Sequence, residues 1–188
     1  GQYYRPRFIS MKKDTVAYPN AYATSLTTDK AINWLNHRDA AKPFMLMVNH
    51  KAPHRNWWPE YQHALRFSKI NIPEPPSLYA DTAGKGKAYR EQQMRILEDM
   101  SLGTDLKIDP AYYDDIPHLK TTENDRKGYH ALLAAIPEET RTKFIALYAE
   151  RGKILQQYKP KGKDLLKWKY QWYMQDYLAC IASIDESV

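Results

Sequence analysis

Cysteine is almost absent from this 188-residue chain: Cys180 is its single thiol, so the chain can form neither an internal disulfide framework nor a thiolate metal cluster. Cys180 lies in the apolar helical run Tyr177-Leu178-Ala179-Cys180-Ile181-Ala182, where a small core residue is expected rather than a nucleophile. Long apolar runs are missing too. No stretch reaches the ~18 residues that a membrane-spanning helix needs, and the amino terminus lacks the basic-then-apolar order of an export signal. Glycine is sparse, at 7 residues. Gly84-Lys85-Gly86-Lys87 has neither the spacing nor the Lys-Ser/Thr pair of a phosphate loop and reads as a flexible turn. No Gly-x-Ser-x-Gly elbow is present, so an α/β-hydrolase nucleophile is unsupported. Internal repeats and low-complexity tracts are also lacking. The first residue is Gly1, and Val188 falls inside a helical pattern with no stop signal after it, which reads as a piece of a longer protein.

Apolar material is plentiful. A composition 43% hydrophobic and 13% aromatic excludes a disordered chain and predicts one compact domain over residues 1–188. The formal charge of +6 favours anionic partners, without choosing among nucleic acid, sulfated or phosphorylated sugars and membrane surfaces. The densest basic run, Lys159-Pro160-Lys161-Gly162-Lys163 followed by Lys167 and Lys169, is broken by Pro and Gly and reads as a solvated linker and helix start.

The pattern along the chain predicts an irregular lead-in over 1–19 and a helix over about 21–38, with Leu26, Ile32, Trp34 and Leu35 on a broad apolar side. The continuous run Pro43-Phe44-Met45-Leu46-Met47-Val48-Asn49-His50 predicts a buried strand. A helix, a short connection and an apolar strand make half of a βαβ unit, hence an α/β fold. Pro53, Pro59, Pro73, Pro75 and Pro76 then keep most of 51–80 out of regular structure. A helix is expected over 87–102 and a polar, turn-rich insertion over 103–136 with a short helix near Tyr129. Two strong helices follow, one from Pro137 with Glu138 and Glu139 at its positive end, the other from about Asp164.

The place to look for function is the carboxyl end of the expected strand, where Lys51-Ala52-Pro53-His54-Arg55-Asn56-Trp57-Trp58 gathers titratable and aromatic groups. His50 and His54 have the spacing of a helical zinc pair, but Pro53 lies between them and no Glu does, so the chain offers no metal ligand set there. An imidazole at His54 can donate a hydrogen bond to an anionic oxygen or pass a proton to a leaving group near neutral pH. The bland alternative is a loop histidine satisfied by backbone. Trp57 and Trp58 either wall a ligand site or pack beneath the loop.

The stretch from Lys42 to Trp57 closely resembles the middle of type I sulfatases, particularly bacterial enzymes acting on sulfated glycans. Tyr22-Ala23-Thr24 through Asp29-Lys30-Ala31-Ile32-Asn33-Trp34-Leu35 is similar to the family's preceding helix. Ile72-Pro73-Glu74-Pro75-Pro76, Asp81-Thr82-Ala83-Gly84-Lys85-Gly86-Lys87-Ala88 and Glu91-Gln92-Gln93-Met94 resemble its following loop and helix. Lys167-Trp168-Lys169-Tyr170-Gln171, Tyr173-Met174 and Asp176 through Asp185 resemble the helix before its later active-site strands. The likeness is weakest over 103–136.

This resemblance implies an interior portion of an alkaline-phosphatase-like (sulfatase) catalytic domain, with helices packed on an incomplete sheet and a long Pro-rich active-site loop. It implies sulfate-ester hydrolysis in the complete protein, on sulfated carbohydrate or aryl sulfates, with calcium and a formylglycine nucleophile. His54 matches the family histidine that lies against the sulfate, and Lys51, Arg55, Asn56 and Trp57 are candidate substrate contacts. The chain departs from the family pattern decisively. Cys180 lacks the Arg of the Cys/Ser-x-Pro/Ala-x-Arg maturation motif, and the amino-terminal Asp-Asp pair and the later Asp-His/Asn-Gly segment are missing. This fragment is therefore expected to bind no cofactor and to turn over no sulfate ester. Family likeness implies a periplasmic or secreted protein without nucleic-acid or membrane partners. A different class remains open: a non-catalytic module binding polyanions or sulfated glycans. An inert piece with unpaired strand edges would self-associate.

Overall fold

The computed structural model describes residues 2–119 and 121–188. A two-stranded antiparallel ribbon opens it, β1 (Arg7–Ile9) pairing with β2 (Thr15–Ala17) in the register Phe8 opposite Val16. The lead-in is thus a hairpin rather than irregular chain, turned where Lys13 adopts a positive φ of 67° and donates its N–H to the Ser10 carbonyl. Among the described residues seven α-helices follow: α1 (Ala23–His37), α2 (Tyr61–Phe67), α3 (Lys87–Glu91), α4 (Ile96–Asp99), α5 (Glu123–Ala134), α6 (Glu138–Tyr158) and α7 (Gly162–Ser187).

Local chemistry accounts for the ends of the longer helices. Thr122 caps α5 by accepting the Asp125 N–H, and Glu123 and Asp125 lie in its first turn, where the helix dipole favours anions. α6 begins after Pro137 with Glu138 and Glu139 and ends where Lys159 turns left-handed at φ 43°, just before Pro160. α7 spans 26 residues, about 39 Å at 1.5 Å per residue. It packs against α1, α2 and α4 and joins both halves of the core.

One half is aromatic, with Tyr3, Tyr4, Tyr22, Trp57, Trp58, Phe144 and Tyr148 around Cys180. The other is mainly aliphatic, with Leu102, Leu106, Ile108, Ile116, Leu155 and Leu165 around Tyr113 and Trp172. Cys180 is fully buried, as expected, and burial pushes its thiol up to about 12, far from a reactive thiolate. Gly152 lets α6 approach the 3₁₀ turn at Pro110–Tyr112: a Cβ there would lie 2.3 Å from the Tyr112 ring.

Several sequence-based expectations are corrected. Residues 43–50 form no strand, and Phe44, Met45, Met47 and Val48 are 49, 83, 71 and 40% exposed. A strand needs a neighbour for its backbone groups, and none lies beside this segment among the described residues. Most of 51–80 is irregular, as expected, and its one α-helix, α2, falls in the proline-free stretch 60–72. The helix expected over 87–102 is split into α3 and α4. Gln92 accepts the Met94 N–H through its side chain and Asp99 accepts the Arg95 N–H, so side chains compete with the helical ladder between them.

The supposed polar insertion is a packed part of the core, and α5 starts six residues before Tyr129. The basic run is solvated at Lys161, Lys163 and Lys167 but not at Lys169, which is 5% exposed.

Candidate functional site

The loop from Lys51 to Pro59 is fixed from two sides. On one side, three tyrosines near the amino terminus hold its backbone: the hydroxyl of Tyr3 donates to the His54 carbonyl (2.6 Å), Tyr4 to Pro59 (2.7 Å) and Tyr22 to Trp58 (3.0 Å). Burial raises all three phenols well above the usual tyrosine range, which keeps the protons these bonds require. On the other side stands Asp105, fully buried. Its carboxylate accepts two hydrogen bonds from the Arg55 guanidinium, one from Asn56 Nδ2 (2.8 Å) and one from the Ser101 N–H (2.9 Å). Four donors, two of them on a cation, satisfy a buried carboxylate in full.

Beneath Asp105 lies a second ionic group. Lys107 Nζ donates to the Asp105 carbonyl (2.8 Å) and to Asp176 Oδ2 (2.7 Å), and Arg151 grips the same Asp176 with both terminal nitrogens (2.9 and 2.7 Å). Tyr148 donates to Asp176 Oδ1 at 3.2 Å. Burial pushes the Asp176 carboxyl upward, but Arg151 and Lys107 more than offset that and hold it below the usual carboxylate range. Burial also lowers Lys107, which Asp176 opposes. Lys107 Nζ sits 5.5 Å from the Trp58 ring centroid and 6.0 Å from that of Trp57, a cation under the floor of the loop.

On this support the candidate residues are sorted unequally. His54 is exposed, and its Nδ1 faces the Arg55 carbonyl oxygen, which makes Nδ1 the donor in the neutral ring and leaves Nε2 directed elsewhere. Its own backbone is held at both ends, N–H to Lys51 O and O to the Trp57 N–H. Lys51, Arg55 and Asn56 line one cleft of about 260 Å³ with Gln2, Tyr4 and Trp58. His54 is not among its walls. Arg55 and Asn56 present only the part of their hydrogen-bonding capacity that Asp105 does not take. Trp57 is buried at 9% exposure and packs on Tyr173 with ring centroids 4.6 Å apart; Trp58 is buried at 4% against Phe144 and Tyr148.

Sequence reasoning missed the supports. Asp105 and Lys107 lay in the stretch read as an insertion, Tyr3 and Tyr4 in the stretch read as a lead-in, and Tyr22 at the start of the expected helix. One signal was available: Asp176 interrupts the aromatic side of α7 between Trp172, Tyr173 and Cys180, and a charge in such a place implies a buried partner.

No known family profile matches the chain. A curated relative, N-acetylglucosamine-6-O-sulfatase of Bacteroides thetaiotaomicron, is 40% identical over 188 residues, which is 100% of this chain and 32% of that protein. The solved structure of BT4656 in complex with its substrate D-glucosamine-2-N,6-O-disulfate matches with a TM-score of 0.86 at 38% identity, over 100% of this chain and 36% of that one. The chain is sulfatase-like from end to end.

It spans about a third of the length of either relative. Its helices and small ribbon accordingly match part of a solved sulfatase structure. The likeness also covers the 103–136 stretch, where the sequence resemblance was weakest. Within this sulfatase-like frame, the carboxylates that back the loop are engaged by protein cations and donors, and among the described residues no helix is long and apolar enough to cross a membrane.

Proposed function

We propose that the protein to which this chain belongs is a sulfatase that removes sulfate from sulfated glucosamine residues, and that residues 1–188 are one interior part of its catalytic domain. The match of all 188 residues to about a third of an N-acetylglucosamine-6-O-sulfatase carries this reading. His54 is the catalytic group of this portion. It is held by backbone contacts on a rigid loop, and its imidazole can protonate the ester oxygen as the sulfur–oxygen bond breaks. Lys51 is the substrate-side cation, with Arg55 and Asn56 beside it. Trp57 acts from beneath, through its packing on Tyr173.

The residues of this chain do not fit calcium near His54. The buried carboxylates Asp105 and Asp176 are saturated by donors, and a metal would have to displace Arg55 or Arg151. Cys180 has Ala182 two residues on but Ile184 where formylglycine maturation needs Arg, and it is enclosed by the core. Calcium and the formylglycine nucleophile are thus assigned to segments outside this chain. The likeness to a Bacteroides sulfatase supports a location outside the cytoplasm and a sulfated sugar as partner.

The decisive assay is sulfate release from N-acetylglucosamine-6-sulfate by the protein as its source makes it. His54→Ala should lower kcat by about 10²-fold or more, the scale of a lost general acid, with unfolding unchanged. The 188-residue chain alone should release none. Absence of hydrolysis on every sulfated sugar, together with salt-sensitive binding, would favour the polyanion-binding alternative.

A further inference from the structure

A second group of ligating side chains lies away from the His54 loop, where α2 meets the end of α7. His63 of α2 is 3% exposed, and its Nε2 faces Glu186 Oε2 at 3.1 Å and Glu60 Oε2 at 3.8 Å. One ligand atom from each of the three lies within 4.8 Å of the others. Glu60 is not free to swing away, because its other oxygen accepts a hydrogen bond from Ser25 of α1 at 2.9 Å. The group therefore joins α1, α2 and α7, and its imidazole nitrogen is buried while Glu186 opens to solvent.

We propose that Glu60, His63 and Glu186 form a three-ligand site for a zinc-like divalent cation. Two features separate it from an ordinary surface ion pair. The first is spacing. A tetrahedral zinc with ligands at about 2.0–2.1 Å places those ligands about 3.3 Å apart, and the two separations from His63 Nε2, 3.1 and 3.8 Å, bracket that value. The second is charge. Two carboxylates converge on one buried imidazole, and a divalent ion balances both while leaving the imidazole neutral, the form that ligates. One nitrogen and two oxygens suit zinc and its neighbours rather than calcium or magnesium, which prefer all-oxygen shells. A water completes the fourth position on the Glu186 side. The bound ion clips the last turn of α7 onto α2, so the site is structural and independent of the sulfatase reading.

Calorimetric titration of zinc chloride into the protein as its source makes it tests this, with magnesium chloride as control. Wild type should bind zinc at this site with a rise in unfolding temperature. Glu186→Gln, at a position 59% exposed and tolerant of change, should weaken zinc binding by at least about tenfold, the scale of losses seen when even the supporting shell of a metal is altered. His63→Gln should abolish it. Zinc binding that is unchanged in both variants, or no zinc binding in wild type, overturns the proposal. Should His63→Gln fail to fold, the Glu186→Gln result decides it, because that side chain has no part in the core.

Discussion

The segments 43–50 and 101–119 are both nearly devoid of helix and strand, yet they meet opposite fates. The first is mostly apolar and lies open: Met45 and Met47 are among the most exposed large side chains of the molecule. The second carries Asp105, Lys107 and Asp109 and is closed into the core, with Leu106, Ile108, Asp105 and Lys107 at 1% exposure or less. Hydrophobicity alone does not explain the contrast. An irregular backbone can be buried only if its polar groups find partners. Segment 101–119 has them: its own turns, the guanidinium of Arg151 on the Leu106 carbonyl, and Lys107 on the Asp105 carbonyl. Segment 43–50 has almost none, and its apolar side chains follow its backbone into solvent. The exposed side of α1, with Ile32 and Trp34, lies next to it, and Trp34 and Phe44 touch edge to face. In the proposed complete sulfatase, neighbouring strands would cover this side.

The comparison is broken most severely at Asp176. Asp176→Ala strands Lys107 and Arg151 as buried cations, and removing one partner of such a group costs about 3–5 kcal/mol. Urea unfolding should show that loss, and 101–119 should become accessible to protease while 43–50 cleaves as before. A loss below about 1 kcal/mol would mean the network contributes little to closing the segment.

A smaller effect is expected at Lys169, whose ammonium donates to the carbonyls of Leu97 and Met100 at 2.7 Å. Burial lowers its pKa to about 8, against 10.5 ordinarily. Between these values the unfolded chain holds the proton and the folded chain releases it, so folding is favoured as pH rises. Below about 8 both states are protonated and the full cost of burying the charge remains. Lys169 should therefore contribute a rise in stability from pH 8 to 9.5 of up to about 1.4 kcal/mol per pH unit, opposed in the same window by the Cys180 thiol, which burial holds protonated in the folded chain while the unfolded thiol ionises. Lys169→Met should flatten that slope; an equal slope in the variant would place its origin elsewhere.

The smallest effect is predicted at the open segment. Met45→Ser and Met47→Ser should each change the stability of the 188-residue chain by less than about 0.5 kcal/mol, as surface substitutions do. The same changes should cost distinctly more in the protein as its source makes it if neighbouring strands cover the segment there. Equal, negligible costs in both would show that the segment stays open.

Much was legible from residue order. Helices α1, α6 and α7 announced themselves by periodicity, by Pro137 with its two glutamates, and by the aromatic run around Cys180, because a helix satisfies its backbone within itself and its signals are local. The likeness to sulfatases was legible for the same reason, carried by contiguous residues. What residue order could not fix was pairing at a distance. The apolar run at 43–48 has strand-like composition, but a strand exists only beside another strand. Asp105, Lys107, Arg151 and Asp176 look like solvated charges until the fold brings three separate segments together and excludes water from them. Tyr3, Tyr4 and Tyr22 become clamps on the loop only because α7 and α6 press the amino terminus against it. The sequence determined the helices and the candidate chemistry; the tertiary structure decided which charges are buried, since desolvation and its compensation depend on neighbours far along the chain.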